Sequence, residues 1–164
     1  MIGLARNLIT LVQAGLAAPR TPQSCIIKRF WVTPFDVGMR VLKSDRYLQL
    51  AEAAQLDFMV RTRCAWPQIR AGISFVNASQ LIRFVRPVGL FQRIDVATAI
   101  VFADDKCAYF SHTLMVQGAL QAEVLVKMKF KKGRLTIAPR DVFGECPSDK
   151  PAHLAAWDEA LHRP

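Results

Sequence analysis

The chain is predicted to be an α+β protein, an antiparallel sheet with one apolar helix inserted after its first strand. Three observations point there. From Ser44 onward, Tyr47, Leu48, Leu50, Ala51, Ala54, Leu56, Phe58 and Met59 recur at helical spacing with apolar residues on most sides. After Pro67 come four long segments rich in β-branched and aromatic residues, separated by tight-turn signals. Ahead of the helix stands one short segment of the same strand character.

Taken in order, the first residues are apolar, with Arg6 and Arg20 as the only charges before Lys28 and no acid before Asp36. The uncharged run from Asn7 to Pro19 is shorter than the roughly 20 residues a spanning helix needs. A secretory signal, an acid-poor presequence, or a helix lying on a membrane or on the domain all fit, and the last is favoured. "CIIKRFWVTPF", from Cys25 to Phe35, predicts the first strand. The loop with Asp36 and Gly38 follows, and then the helix, with Ser44 or Asp45 as its N-cap and its end near Arg61 to Arg63. A helix this apolar belongs in a core.

The four later strands are expected over Gly72–Val88, Gln92–Ala103, Cys107–Gln117 and Leu120–Gly133. Asp104-Asp105-Lys106 and Gln117-Gly118 are tight turns, so successive strands should pair as an antiparallel meander. Beyond Gly144, "AHLAAWDEALH" predicts a short helix capped by Ser148 or Asp149 and packed through Trp157. The organisation is therefore an apolar N-terminal segment over 1–24, a domain over 25–145 and a tail over 146–164.

The formal charge of +9, from 22 Lys+Arg against 13 Asp+Glu, favours anionic partners without choosing among them. The basic residues are scattered and no nucleic-acid motif accompanies them, so no nucleic acid is expected as partner. The densest group, Lys127, Lys129, Lys131 and Lys132, reads as a solvated strand edge. Cys25, Cys64, Cys107 and Cys146 are far apart without metal-ligand spacing, which predicts reduced structural thiols and no metal.

A sheet wrapped around one long central helix is the layout of the hot-dog fold, and the stretch around the opening loop resembles its thioesterase-like superfamily. It is nearest the 4-hydroxybenzoyl-CoA thioesterase type and the branch of thioesterase superfamily member 6. Val32, Pro34, Asp36, Tyr47 and Leu48 match that branch in order, and "RFVRPVGLFQRIDVATAIVFADDKCAYFSHTLMV" is similar to its second half. The resemblance runs from about Cys25 to Gly133. The branch's His and paired Asn are replaced, since the residues before Tyr47 read Val41, Leu42, Lys43, Ser44.

The resemblance implies an acyl-CoA thioesterase acting at a dimer interface without a cofactor. Its oxyanion would sit on the N-terminus of the central helix, with Asp36 as base or nucleophile. Asp45 and Ser44 are the further catalytic candidates. As a helix cap Asp45 is the more structural of the two acids, and Ser44 has no neighbouring His to activate it. Gly38, Tyr47, Arg83, Arg86 and His112 are the substrate-binding candidates, the two arginines for CoA phosphates. The plainer readings are an Asp in a turn, a Tyr anchoring the core and a lone strand His. The second functional reading is a catalytically weak hot-dog module that binds acyl-CoA or acyl-carrier protein; the replaced His/Asn segment favours it, and the retained Asp36 favours the enzyme. The expected assembly is a homodimer or dimer of dimers in the cytoplasm, with possible membrane contact through residues 1–20.

Overall fold

The computed structural model describes residues 2–162. Its elements are α1 (Ile2–Leu16), β1 (Ile26–Trp31), α2 (Ser44–Arg61), α3 (Ala65–Arg70), β2 (Ser74–Phe84), β3 (Arg93–Ala103), β4 (Ala108–Val116), β5 (Ala119–Lys132), β6 (Leu135–Ile137), α4 (Pro139–Phe143) and α5 (Ala152–Leu161). All strand pairs are antiparallel, in the order β1-β3-β4-β5-β2, with β6 also on β5.

The meander holds for β3, β4 and β5 but not for β2. That strand pairs with β5, Phe84 opposite Ala122 and Ser74 opposite Lys131, and leaves β3 to pair with β1. Val85 to Gln92 therefore crosses from one side of the sheet to the other instead of forming a hairpin. β6 occupies the flank of β5 beyond the start of β4, where Phe130 faces Ile137.

α2 is buried on most of its circumference, from Tyr47 and Leu50 through Ala53 and Ala54 to Phe58, Met59 and Val60. It packs on β1, β3 and β5. Phe58 meets Phe110 of β4 edge to face, with ring centroids 5.5 Å apart. Thr62 ends the helix by donating its hydroxyl to the Phe58 carbonyl.

α1 lies along α2, burying Thr10 and Ala14. Two polar ties fix it. Arg6 reaches Asp36, and Gln13 accepts from Lys28, which also pairs with buried Asp57 of α2. The segment after α1 is held by the Arg20 N–H, which donates to the Arg61 carbonyl at the α2 C-terminus.

The outer face of the sheet carries a second cluster, Phe102, Cys107, Tyr109 and Leu125, covered by Leu154 and Trp157 of α5. Asp158 of α5 accepts from Tyr109, Lys127 and Lys150. The lysine run is thus not an edge, because β5 lies inside the sheet; Lys127 is drawn down onto Asp158, while Lys132 stays exposed. The N-cap of α5 is Pro151, with no side-chain cap from Ser148 or Asp149. All four cysteines are free thiols.

Candidate functional site

The loop between β1 and α2 is a small closed hairpin. Val37 bridges Leu42, the Gly38 N–H donates to the Val41 carbonyl, and Val41 bridges Gly89. The Leu42 N–H donates to Val88 and the Lys43 N–H to the Asp36 carbonyl. Backbone pairing rather than glycine geometry sets this loop, because a Cβ on Gly38 would meet only ordinary contact with Lys43. Gly38 has its N–H committed within the loop and does not offer it to a ligand.

α2 starts at Ser44, and its N-cap is Lys43 with no side-chain cap bond, so neither Ser44 nor Asp45 caps it as expected. The Lys43 and Arg46 N–H groups are taken by the carbonyls of Asp36 and Lys43. Among the described residues, those of Ser44 and Asp45 remain as unpaired donors at the positive end of the helix. Asp45 is exposed and lies against Arg46 and Gln49.

Beside this helix end is a cavity of about 260 Å³ lined by Leu42, Ser44, Tyr47, Phe84, Val85, Arg86 and Pro87. Tyr47 is buried edge-on to Phe84, with centroids 5.1 Å apart. Burial pushes its hydroxyl up in pKa, partly offset by a hydrogen bond from the Val88 backbone, so it stays protonated. A second, larger cavity of about 510 Å³ lies further along α2, walled by Leu11, Leu56, Met59, Trp66, Phe75 and Val76, with Gln55 as a buried polar member.

Asp36 is 1% exposed. One carboxylate oxygen accepts from Arg6; the other accepts from the Thr33 N–H at 3.0 Å and the Thr33 hydroxyl at 2.7 Å. Burial alone would raise its pKa, but the Arg6 and Thr33 bonds outweigh it and hold the carboxyl below the usual range. Asp36 is therefore an ionised anchor joining β1, the loop and α1.

Ser44, Tyr47 and Arg86 thus share one cavity wall, while Asp36 and Gly38 are tied to it through the loop backbone. Arg83 points outward on β2 and pairs with Glu123. His112 stands apart. It is fully buried on β4, with Nδ1 2.9 Å from the Thr98 hydroxyl, Nε2 without a partner, and a pKa lowered by burial to about 3. A neutral core histidine lining neither cavity is not placed to touch substrate. Arg6 and Thr33 are the residues the sequence reading passed over. Arg6 is the one charge in an otherwise apolar helix, and the first acid after it is Asp36, a signal that the two meet.

No curated protein sequence matches the chain. Solved structures do. A probable thioesterase from Bartonella henselae is 16% identical with a TM-score of 0.64, over 70% of this chain and 98% of that one. DHNA-CoA thioesterase from Staphylococcus aureus is 13% identical with a TM-score of 0.63, over 84% and 91%. A hypothetical protein of Staphylococcus aureus, solved in complex with CoA, is 12% identical with a TM-score of 0.65, over 84% and 96%. At these identities the likeness is one of fold. The family model of the thioesterase-like superfamily matches residues 32–157, from just after β1 into α5. On that span, the chain belongs to the thioesterase-like superfamily.

Proposed function

We propose that the protein is an acyl-CoA thioesterase that works as a homodimer. The observation that carries this reading is the uncapped start of α2, with the Ser44 and Asp45 N–H groups free beside a cavity that also holds Tyr47 and Arg86. A thioester carbonyl over those amides gains two donors and the helix dipole as it becomes a tetrahedral oxyanion. Exposed Arg86 in the cavity lining suits a CoA phosphate, and Arg83 on β2 a second one. The apolar groove along α2 suits the acyl chain. Water attacks the thioester carbonyl; the C–S bond breaks as the intermediate collapses, and the proton the water gives up leaves with the CoA thiolate. Asp36, buried on Arg6 and Thr33 outside the cavity lining, holds the loop that leads into these amides.

What supports the dimer is β2. It is an edge strand of 11 residues with Val76, Leu81 and Phe84 exposed, a template for pairing with its own copy. Such pairing would close both cavities from the partner side; a dimer of dimers is the next assembly. We place the protein in the cytoplasm, with residues 1–20 as its contact with a membrane.

A second reading has its own observation. Asp36 is bound by three donors and is a weak base, which suits a module that holds acyl-CoA or an acyl-carrier protein thioester with little turnover. Calorimetric binding and thiol release, measured side by side on short, medium, long and aromatic acyl-CoAs, separate the two. Turnover of any member supports the enzyme. Saturable binding without thiol release supports the module, and neither binding nor release sinks both.

A further inference from the structure

α1 turns its apolar residues outward and seats a mixed side on the domain. Its inner side, Asn7, Thr10, Leu11 and Ala14, faces the domain. A surface helix ordinarily turns polar residues outward. Here the outward positions hold Leu8, Ile9, Val12 and Leu16, which are 62%, 57%, 58% and 85% exposed. Leu8, Val12 and Leu16 repeat every fourth residue and form one stripe. Ile9 shares the wall of a cleft of about 390 Å³ with Trp31 and Phe35, themselves 64% and 68% exposed, so the apolar surface continues from α1 onto β1 and the loop.

The exposed charge around this stripe is mainly basic. No acid precedes Asp36, and the two acids beneath α1, Asp36 and Asp57, are buried in pairs with Arg6, Lys28 and Arg61. Arg29 lines the Ile9 cleft, and Arg63 lines a cavity with Gly15 at the other end of the helix. Arg20, just past the helix, is exposed. Asp95, paired with Arg29, is half-buried; the exposed acid Glu52 borders the groove on the Asn7 and Leu11 side. No helix among the described residues is long and apolar enough to cross a membrane. An apolar stripe with basic ends and an aromatic at its border matches the interface of an anionic bilayer.

We propose that α1 lies face-down on an anionic phospholipid surface, with Leu8, Ile9, Val12, Leu16 and Trp31 entering the boundary between headgroups and acyl chains. This deepens the membrane contact named above and rests on that reading, but not on catalysis, so vesicle binding and thiol release fail independently. The test is co-sedimentation of the full chain with phosphatidylcholine vesicles, with and without phosphatidylserine, beside the Val12→Glu/Leu16→Glu double variant. Both positions are exposed, and an unchanged melting temperature checks the fold; Leu16→Glu alone serves if the pair lowers it. Wild type should bind the phosphatidylserine vesicles, more weakly as salt rises, and the double variant should lose about tenfold or more in partitioning. Absence of wild-type binding, equal binding by the variant, or a smaller oligomer in the variant would each overturn the proposal, the last by showing that a second copy covers the stripe.

Discussion

Replacing His112 should remove a defined part of the protein's acid sensitivity. The imidazole is fully buried between β3 and β5, stacked along Phe110, and burial lowers its pKa from an ordinary 6.5 to about 3. Between those values the unfolded chain binds a proton that the native state refuses. Stability therefore rises with pH through this window, is complete above 6.5, and falls by about 1.4 kcal/mol per unit below it. At pH 5 the loss is about 2 kcal/mol, a large fraction of a typical domain's stability. In His112→Gln an amide can still bond Thr98 but carries no titrating proton. The assay is urea unfolding of both proteins between pH 5 and 7.5, read as the wild-type-minus-variant difference, which cancels every other titrating group. That difference should shrink by about 2 kcal/mol from pH 7 to pH 5. Parallel curves, or an imidazole that titrates near 6.5 in the native protein, would refute the reasoning.

Three further outcomes follow from the same geometry. Arg6→Ala leaves Asp36 buried without its ion-pair partner and should cost about 3–5 kcal/mol by chemical denaturation, with α1 becoming protease-sensitive. The Asp36 contribution has the opposite pH sense to a raised group: it is present above the ordinary carboxylate value of 3.8 and lost as pH falls through the depressed native one, so wild type and Arg6→Ala should converge in acid. Asp158→Ala removes the acceptor shared by Tyr109, Lys127 and Lys150, and hydrogen exchange should speed up in α5 while α2 stays protected. Leu81→Lys, a charge on the exposed side of the β2 edge, should shift sedimentation from dimer to monomer without changing far-UV circular dichroism.

Much of the fold was legible because its signals are local. The 18-residue span of α2 follows from its apolar periodicity, and the β3-β4-β5 hairpins from Asp104-Asp105-Lys106 and Gln117-Gly118. What failed was non-local. Nothing in β2 states that it pairs with β5 rather than β3, because that choice is made when the Val85–Gln92 segment crosses the sheet. The lysines of β5 look like an edge until α5, some 30 residues on, brings Asp158 to Lys127. α3, β6 and α4 are too short to show a period. In the candidate site, Ser44, Tyr47 and Arg86, which line one cavity, were singled out because a helix start and a basic segment are readable motifs. The hold on Asp36 was not, since it depends on where α1 docks.

The central claim is that the start of α2 cleaves a thioester while Asp36, buried on Arg6 and Thr33, holds the preceding loop in place. The most direct measurement is steady-state thiol release from the best acyl-CoA by wild type, Asp36→Asn and Asp45→Ala, each first verified as folded and of unchanged oligomeric state. The account predicts that Asp36→Asn lowers kcat by about 10²-fold by displacing the loop, while Asp45→Ala stays near wild type. Equal turnover by wild type and Asp36→Asn would contradict it and leave Asp36 as the anchor of α1 alone.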